Sequence, residues 1–134
     1  MAIIVIDFDN TITSGESYPA CDPIRPGAPR VINKYYDQGH CIIINTCRCG
    51  EPQDDAEQFL IDNGVKFCHI NQNCNIRIEQ YGNDTRKIGG DIFIDDKDIH
   101  VICSDYGIDW GMMDLKISMA LRYINATPSR CNRY

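Results

Sequence analysis

Two acidic residues and a threonine directly follow the first apolar run of the chain. The run is Ile3–Ile6, and Asp7, Asp9 and Thr11 occupy alternate positions after it. The run predicts a buried strand, and ligands of open α/β sheets bind at the carboxyl ends of such strands. Crowded carboxylates repel each other unless a cation or a shared proton offsets their charge. The spacing therefore favours a cation site or an acid–base pair over the simpler alternative, a turn built from Asp, Asn and Thr.

Three later groups of polar residues are placed in a similar way. A hydroxyl ends one apolar run, a basic pair precedes another, and two acids end that last run. In chain order these residues are Thr46, Arg86, Lys87, Asp95 and Asp96. If the runs are parallel strands, the hydroxyl and the two acids come to the same sheet edge as the first acids.

These four groups resemble the four signatures of the haloacid dehalogenase-like (HAD) phosphohydrolases, in the same order. The resemblance covers the chain from about Ile3 to Ile102, and it starts with the Asp-x-Asp-x-Thr pattern. It implies a Mg²⁺-dependent phosphatase that hydrolyses a phosphate monoester through an aspartyl-phosphate intermediate. Such an intermediate divides one slow hydrolysis into two easier steps.

The resemblance also implies a role for each acid. Asp7 is expected to be the nucleophile. Asp9 is expected to protonate the leaving oxygen, to activate the water afterwards, and to offer its main-chain carbonyl to the metal. Mg²⁺ prefers one or two carboxylates together with water and phosphate oxygens. Asp7, Asp9, Asp95 and Asp96 are the candidate metal ligands, with Asp95 favoured over Asp96 for direct contact.

A second set of residues is expected to contact the phosphoryl group. Thr46 would hydrogen-bond its oxygens, and Lys87 would neutralise its charge as a compact point charge. Arg86 remains a rival to Lys87, because neither spacing nor charge separates the two. The candidate substrate-binding residues are Thr11, Thr46, Cys47, Arg48 and Arg86.

Apolar runs alternate with helical patterns, which predicts one α/β domain spanning residues 1–134. The expected architecture is a three-layer Rossmann-like sandwich, with a mostly parallel sheet of about five strands and helices on both faces. The predicted strands are Ile3–Ile6, Cys41–Ile44, Val65–Ile70, Ile92–Ile94 and His100–Cys103. The predicted helices start near Ala28, Pro52 and Trp110, with an irregular stretch from Ile70 to Asp91 that has room for one short helix, and a loose tail over residues 126–134.

The segments between the signatures are already filled by these elements, so the sequence predicts no cap domain over the site. An open site can admit a large substrate such as a phosphorylated macromolecular end. It can equally be closed by a second subunit of a homo-oligomer and act on a small phosphorylated molecule. The substrate and the oligomeric state therefore stay open.

Composition limits the partners and the compartment. An apolar content of 43% with 24% charged residues is ordinary for a soluble globular chain, and no apolar run approaches the roughly 20 residues of a membrane span. We therefore expect a cytoplasmic protein without a membrane partner. The formal net charge is −6 and no Lys/Arg-rich run is present, which disfavours a nucleic-acid partner without excluding it.

Eight cysteines could indicate a disulfide scaffold or a zinc site. Cys41, Cys68 and Cys103 lie in or beside apolar runs, where a free cysteine acts as a small hydrophobic residue. Cys47 and Cys49 are separated by one residue, which is shorter than a zinc knuckle requires. The sequence therefore predicts reduced cysteines and no structural zinc.

Two other classes of protein compete with the enzyme. A phosphoacceptor signalling domain is also doubly wound, but it would carry its acid pair at the end of the first strand and its acceptor Asp at the end of the third. Here the acid pair comes late, at Asp95 and Asp96, which disfavours this class. A non-catalytic module that keeps the fold and binds a phosphate ligand or a partner is the main alternative. Loss of Asp7, Asp9, Lys87 or the late acids would favour it, and all are present.

Overall fold

The computed structural model describes residues 1–127, which form an α/β fold of four strands and five helices within that range. In chain order the elements are β1 (Ile3–Ile6), α1 (Ala28–Asp37), β2 (Cys41–Ile44), α2 (Glu51–Asp62), β3 (His69–Ile70), α3 (Asn75–Tyr81), β4 (Ile92–Ile94), α4 (Ile99–Ile102) and α5 (Trp110–Ala126).

The sheet is parallel throughout, with strand order β3-β2-β1-β4. β1 lies between β2 and β4, and its last residue Ile6 aligns with Ile44 on one side and Ile94 on the other. The carboxyl ends of β1, β2 and β4 therefore meet at one edge. Parallel strands covered on both faces need continuous apolar runs, and every residue of β1 and β2 is buried.

The two faces of the sheet have different partners, which gives the fold its three layers. One face, which includes Ile6 and Ile44, packs in a large core with residues from α1, α2 and α5. The opposite face, which includes Val5 and Ile43, forms a smaller core with Ile88 and with partly buried Cys74. The helical layer on this opposite face, which contains α3, is thin, because α3 itself buries no residue.

The loop after β1 contains no folded cap. Residues between Asp7 and Ala28 form one antiparallel bridge, Thr13 with Ile24, and no longer strand or helix. The first residue of α5 holds this loop in place, since the buried Trp110 indole donates a 3.0 Å hydrogen bond to the main-chain oxygen of Thr11. The predicted lack of a cap domain is confirmed.

The prediction of a fifth strand at His100–Cys103 is wrong, because residues 100–102 belong to the short helix α4 and Cys103 ends it. Asp98 caps that helix by accepting a 2.9 Å hydrogen bond from the main-chain nitrogen of His100. Ile99 and Ile102 are mostly exposed, so the apolar content that predicted a strand is not buried in the sheet. An Asp at the N-cap satisfies an otherwise unpaired helix donor, which favours a helix here.

Two element boundaries also differ from prediction. The third strand is only His69–Ile70, because Val65 instead donates its main-chain hydrogen bond to Leu60 at the end of α2. The last helix extends to Ala126, one residue into the expected tail, while residues 128–134 of that tail lie outside the described range. No helix within residues 1–127 has the length and apolar character needed to cross a membrane.

Candidate functional site

Three carboxylates meet where β1 and β4 end. Asp7 follows β1, and its main-chain nitrogen donates a 2.9 Å hydrogen bond to the oxygen of Ile94 in β4. This link sets Asp7 beside Asp95 and Asp96, which follow β4. One oxygen from each of the three carboxylates lies within 4.8 Å of the others. We call Asp7, Asp95 and Asp96 the acid cluster; the structure brings together three of the four predicted metal ligands there.

Thr11 connects two members of the acid cluster. Its side chain is fully buried, and its hydroxyl accepts a 3.0 Å hydrogen bond from the main-chain nitrogen of Asp96. The same hydroxyl lies 3.0 Å from a carboxylate oxygen of Asp7 and 3.3 Å from one of Asp96. It carries one proton, so it can donate to only one of these acids at a time. The other acid then lacks this hydrogen bond.

Burial of the Asp7 carboxyl raises its pKa from 3.8 to about 7. The hydrogen bond from Thr11 acts in the opposite direction, and the negative charges of Asp95 and Asp96 raise the pKa further. Asp7 and Asp96 thus crowd around one buried hydroxyl donor. The donor set of the cluster consists of oxygens alone, which suits Mg²⁺.

The fourth predicted ligand, Asp9, directs its carboxylate to an arginine instead of to the cluster. Arg48 donates two 2.8 Å hydrogen bonds, from Nε and Nη2, to the two oxygens of Asp9. The guanidinium also lies 5.2 Å from the centre of the Phe8 ring and 5.1 Å from that of Tyr18. Its side chain is only 2% exposed, and Nη1 donates to the oxygen of Pro19. Arg48 is thus engaged by the protein and is not presented to a substrate.

The loop after β2 brings Thr46 to the same sheet edge, as the sequence predicted. Asn71 organises this loop: its side-chain oxygen accepts from the main-chain nitrogen of Thr46 at 2.8 Å, and its amide donates to the oxygen of Arg48 at 3.1 Å. Asn71 has a left-handed backbone, with φ of 52°. Cys47 is exposed in this loop. The sequence analysis missed Asn71, although an Asn directly after an apolar strand was a usable signal.

The basic pair Arg86 and Lys87 lies ahead of β4 and not at its carboxyl end. Both residues are exposed. Lys87 lines a cavity of about 410 Å³ together with Gly90 and Phe93. The structure therefore does not bring the predicted phosphate clamp to the acid cluster.

A lysine that the sequence analysis passed over does reach the cluster. The Nζ atom of Lys97 lies 3.5 Å from a carboxylate oxygen of Asp96, although the Lys97 side chain is 78% exposed. Its main-chain nitrogen also donates a 2.8 Å hydrogen bond to Asp95. The available signal was its position directly after the acid pair. Such an exposed ion pair is weak, so Lys97 is free to move toward an incoming anion.

Among known proteins, no protein-family model and no curated protein matches this chain. A solved structure of a conserved protein from Bacteroides thetaiotaomicron is similar: it shares 28% sequence identity and superposes with a TM-score of 0.73. The match covers 88% of this chain and 90% of the other, so the two share the α/β fold over nearly their whole lengths.

Proposed function

We propose that this chain is a Mg²⁺-dependent phosphatase of the HAD type, which hydrolyses a phosphate monoester through an aspartyl-phosphate on Asp7. The observation that carries the proposal is the acid cluster, where three carboxylate oxygens lie within 4.8 Å at the ends of adjacent parallel strands. Burial and the neighbouring acids raise the pKa of Asp7 to about 7, so a bound cation would relieve repulsion between these groups.

In this proposal Asp7, Asp95 and Asp96 hold the ion, with the main-chain carbonyl of Asp9 as the expected fourth protein ligand. Bound Mg²⁺ would neutralise charge on the phosphoryl oxygens. An Asp7 carboxylate oxygen attacks phosphorus, a phosphorus–oxygen bond to Asp7 forms, and the bond to the leaving alcohol breaks. Water then attacks the same phosphorus, and the Asp7 carboxylate leaves as inorganic phosphate is released.

The Asp9 carboxyl is the proposed proton donor to the leaving oxygen, and the acceptor of a proton from the attacking water. Arg48 now occupies both of its oxygens at 2.8 Å. At least one of these hydrogen bonds must break before Asp9 can serve the substrate. The Asp9 side chain is 24% exposed, so it has solvent on one side into which it can turn. Arg48 is accordingly proposed as a positioning residue for Asp9.

One observation favours the alternative of a non-catalytic binding module. Asp9 is engaged by Arg48, and the predicted clamp Lys87 lies ahead of β4 and not at the carboxyl end, where the acid cluster lies. A module that only binds Mg²⁺ or a phosphate ligand would need neither a free acid nor a phosphate clamp. The two functions differ in turnover, which an assay can measure directly.

The decisive experiment measures hydrolysis of an aryl phosphate near neutral pH, with Mg²⁺ and then with a chelator. We expect Mg²⁺-dependent turnover, which Asp7→Asn abolishes because an amide cannot form the acyl phosphate. Asp105→Asn is the matched control, since Asp105 is an exposed acid outside the cluster. Because an open site leaves the natural substrate undefined, the assay should be repeated over phosphorylated metabolites and phosphorylated nucleic-acid ends. Binding of Mg²⁺ without turnover on any substrate would favour the binding module.

The Asp9–Arg48 pair can be tested through stability. Arg48→Ala leaves a partly buried carboxylate without its partner and removes the contacts to two aromatic rings, so we expect a loss of about 2–4 kcal/mol in the free energy of unfolding. Arg48→Lys is the matched control, because it keeps the charge but cannot form two parallel hydrogen bonds. Urea unfolding measures both. Equal stability of Arg48→Ala and the parent would contradict the proposed positioning role.

A further inference from the structure

Three possible metal ligands from separate parts of the chain meet on the other face of the sheet. Cys41 begins β2, His69 begins β3, and Cys74 directly precedes α3. A sulfur from each cysteine and a ring nitrogen from His69 all lie within 4.8 Å of one another. Cys68, next to His69, is a fourth candidate. Burial raises the pKa of the Cys41 thiol, and the nearby thiols of Cys74 and Cys68 raise it further.

These four residues line one surface cavity of about 390 Å³. Cys41 is buried in the smaller core, whereas Cys74 and His69 are partly buried and Cys68 is exposed, so solvent reaches one side. Cys41 lies at the amino end of its strand, while the acid cluster lies at the carboxyl ends of β1 and β4. The two sites are therefore separate, and their donor atoms differ in kind.

Packing alone explains one buried cysteine, but it does not explain this convergence. A free cysteine in a core replaces a small apolar residue, and Cys41 can be understood in that way. Three thiols and an imidazole around one cavity form the donor set of structural zinc sites. The expectation of no zinc site rested on the spacing of Cys47 and Cys49, on the apolar settings of Cys41 and Cys68, and on the lack of histidines clustered along the sequence. It could not register ligands that come together through strand pairing.

We propose that Cys41, Cys68, His69 and Cys74 bind one zinc ion in a tetrahedral site. Zinc–sulfur bonds of about 2.3 Å place the sulfurs of such a site about 3.8 Å apart. The present spread of up to 4.8 Å among Cys41, His69 and Cys74 exceeds this separation by about 1 Å, so the side chains would rotate toward the ion on binding. Thiolate and imidazole ligands select zinc over Mg²⁺, which prefers oxygen.

The site would have a structural role. The helix α3 has seven residues, which is too short to be stable alone, and it buries none of them. The strand β3 has two residues. A zinc ion held by residues from β2, β3 and the start of α3 would fasten both elements to the sheet. It would thereby support the thin helical layer that contains α3, without taking part in the chemistry at the acid cluster.

The test uses the full chain, reduced and treated with a chelator, then titrated with Zn²⁺ or Co²⁺ in excess Mg²⁺ so that the acid cluster is occupied. We expect one equivalent of zinc per chain and a higher melting temperature. We also expect a cobalt spectrum with thiolate charge-transfer bands and the strong visible bands of tetrahedral coordination. Cys74→Ser and His69→Gln should each weaken binding by at least about 100-fold, and Cys68→Ser should reduce the charge-transfer intensity.

The matched control is Cys47→Ser with Cys103→Ser, two exposed thiols outside the cavity. This variant should bind zinc as the parent does, and circular dichroism of each metal-free variant verifies that it is folded. Failure of the reduced parent to bind a stoichiometric ion would overturn the proposal, as would equal binding by Cys74→Ser and the parent. Loss of the cobalt spectrum in the control variant would also overturn it, by transferring thiolate ligands to Cys47 or Cys103.

Discussion

Replacing Asp7 by asparagine should stabilise the metal-free protein while it abolishes the proposed activity. Asp7 lies in a partly buried position beside two other carboxylates, and Thr11 can donate its one proton to only one acid at a time. When all three acids are ionised, their repulsion opposes folding. An asparagine at this position would keep the size of the side chain and remove one negative charge, and its amide could donate a hydrogen bond toward Asp96.

The magnitude follows from the pKa of Asp7, which burial raises from 3.8 to about 7 in the folded chain. Below pH 3.8 Asp7 is protonated in both the folded and the unfolded chain, so it does not lower the free energy of unfolding. As the pH rises from 3.8 to about 7, the unfolded chain ionises Asp7 more readily than the folded chain, so the free energy of unfolding of the parent falls over this range. The difference between the two values corresponds to at most about 4 kcal/mol. Solvent contact screens part of it, and we expect about 2–3 kcal/mol.

Thermal unfolding in a chelator measures this effect. Near pH 8 the Asp7→Asn variant should melt roughly 6–12 °C above the parent, and near pH 4 the two should coincide. Adding Mg²⁺ should raise the melting temperature of the parent and bring it closer to that of Asp7→Asn, because a ligand of the folded state stabilises it by mass action. Asp105→Asn should follow the parent at every pH. If the two proteins had the same melting temperature at pH 8, or if the difference between them did not change with pH, the reasoning would be refuted.

Two other sets of substitutions test the phosphate clamp and the packing around β4. Lys97→Ala should lower turnover, measured as kcat, by about 100-fold or more, because its Nζ lies 3.5 Å from Asp96 in the acid cluster. Lys87→Ala and Arg86→Ala should have small effects, since both residues lie ahead of β4; the reverse ranking would assign the clamp to the basic pair. Gly90→Ala should cost about 1–3 kcal/mol in urea unfolding, because the added methyl would lie 2.4 Å from the Val5 side chain. Gly89→Ala, whose added methyl meets only ordinary contacts at 3.6 Å and 3.7 Å, is the control, and equal losses would contradict this packing argument.

The elements that were predicted correctly are those whose signal is local. β1, β2 and β4 each coincide with an apolar run, since a parallel strand buried on both sides must be apolar at every position. The helix from Ala28 has one apolar face at intervals of three and four residues, and its buried residues lie on that face. At His100–Cys103 the same reasoning failed, because a short apolar run does not distinguish a strand from a helix and the Asp98 cap decided the outcome.

The sequence could predict only those residues of the site that directly follow a strand. The acids at the ends of β1 and β4 meet because both strands are parallel and adjacent. The Asp9–Arg48 pair joins residues 39 positions apart, and neither neighbourhood in the sequence indicates that the side chains face each other. The grouping of Cys41 with His69 and Cys74 likewise depends on the pairing of β2 with β3. Such contacts follow from tertiary structure and have no local signature.

The distribution of positive charge distinguishes the two acids of the first signature. Asp9 receives a complete, buried guanidinium from Arg48, so its charge is balanced within the fold. Asp7 receives one hydroxyl hydrogen bond, which it shares with Asp96, and burial holds its pKa near 7. A cation that enters this edge of the sheet is therefore drawn to Asp7 and its neighbours and not to the side chain of Asp9. The same imbalance makes the metal-free cluster costly to fold, so we expect affinity for Mg²⁺ and instability without it to change together when Asp7 is replaced.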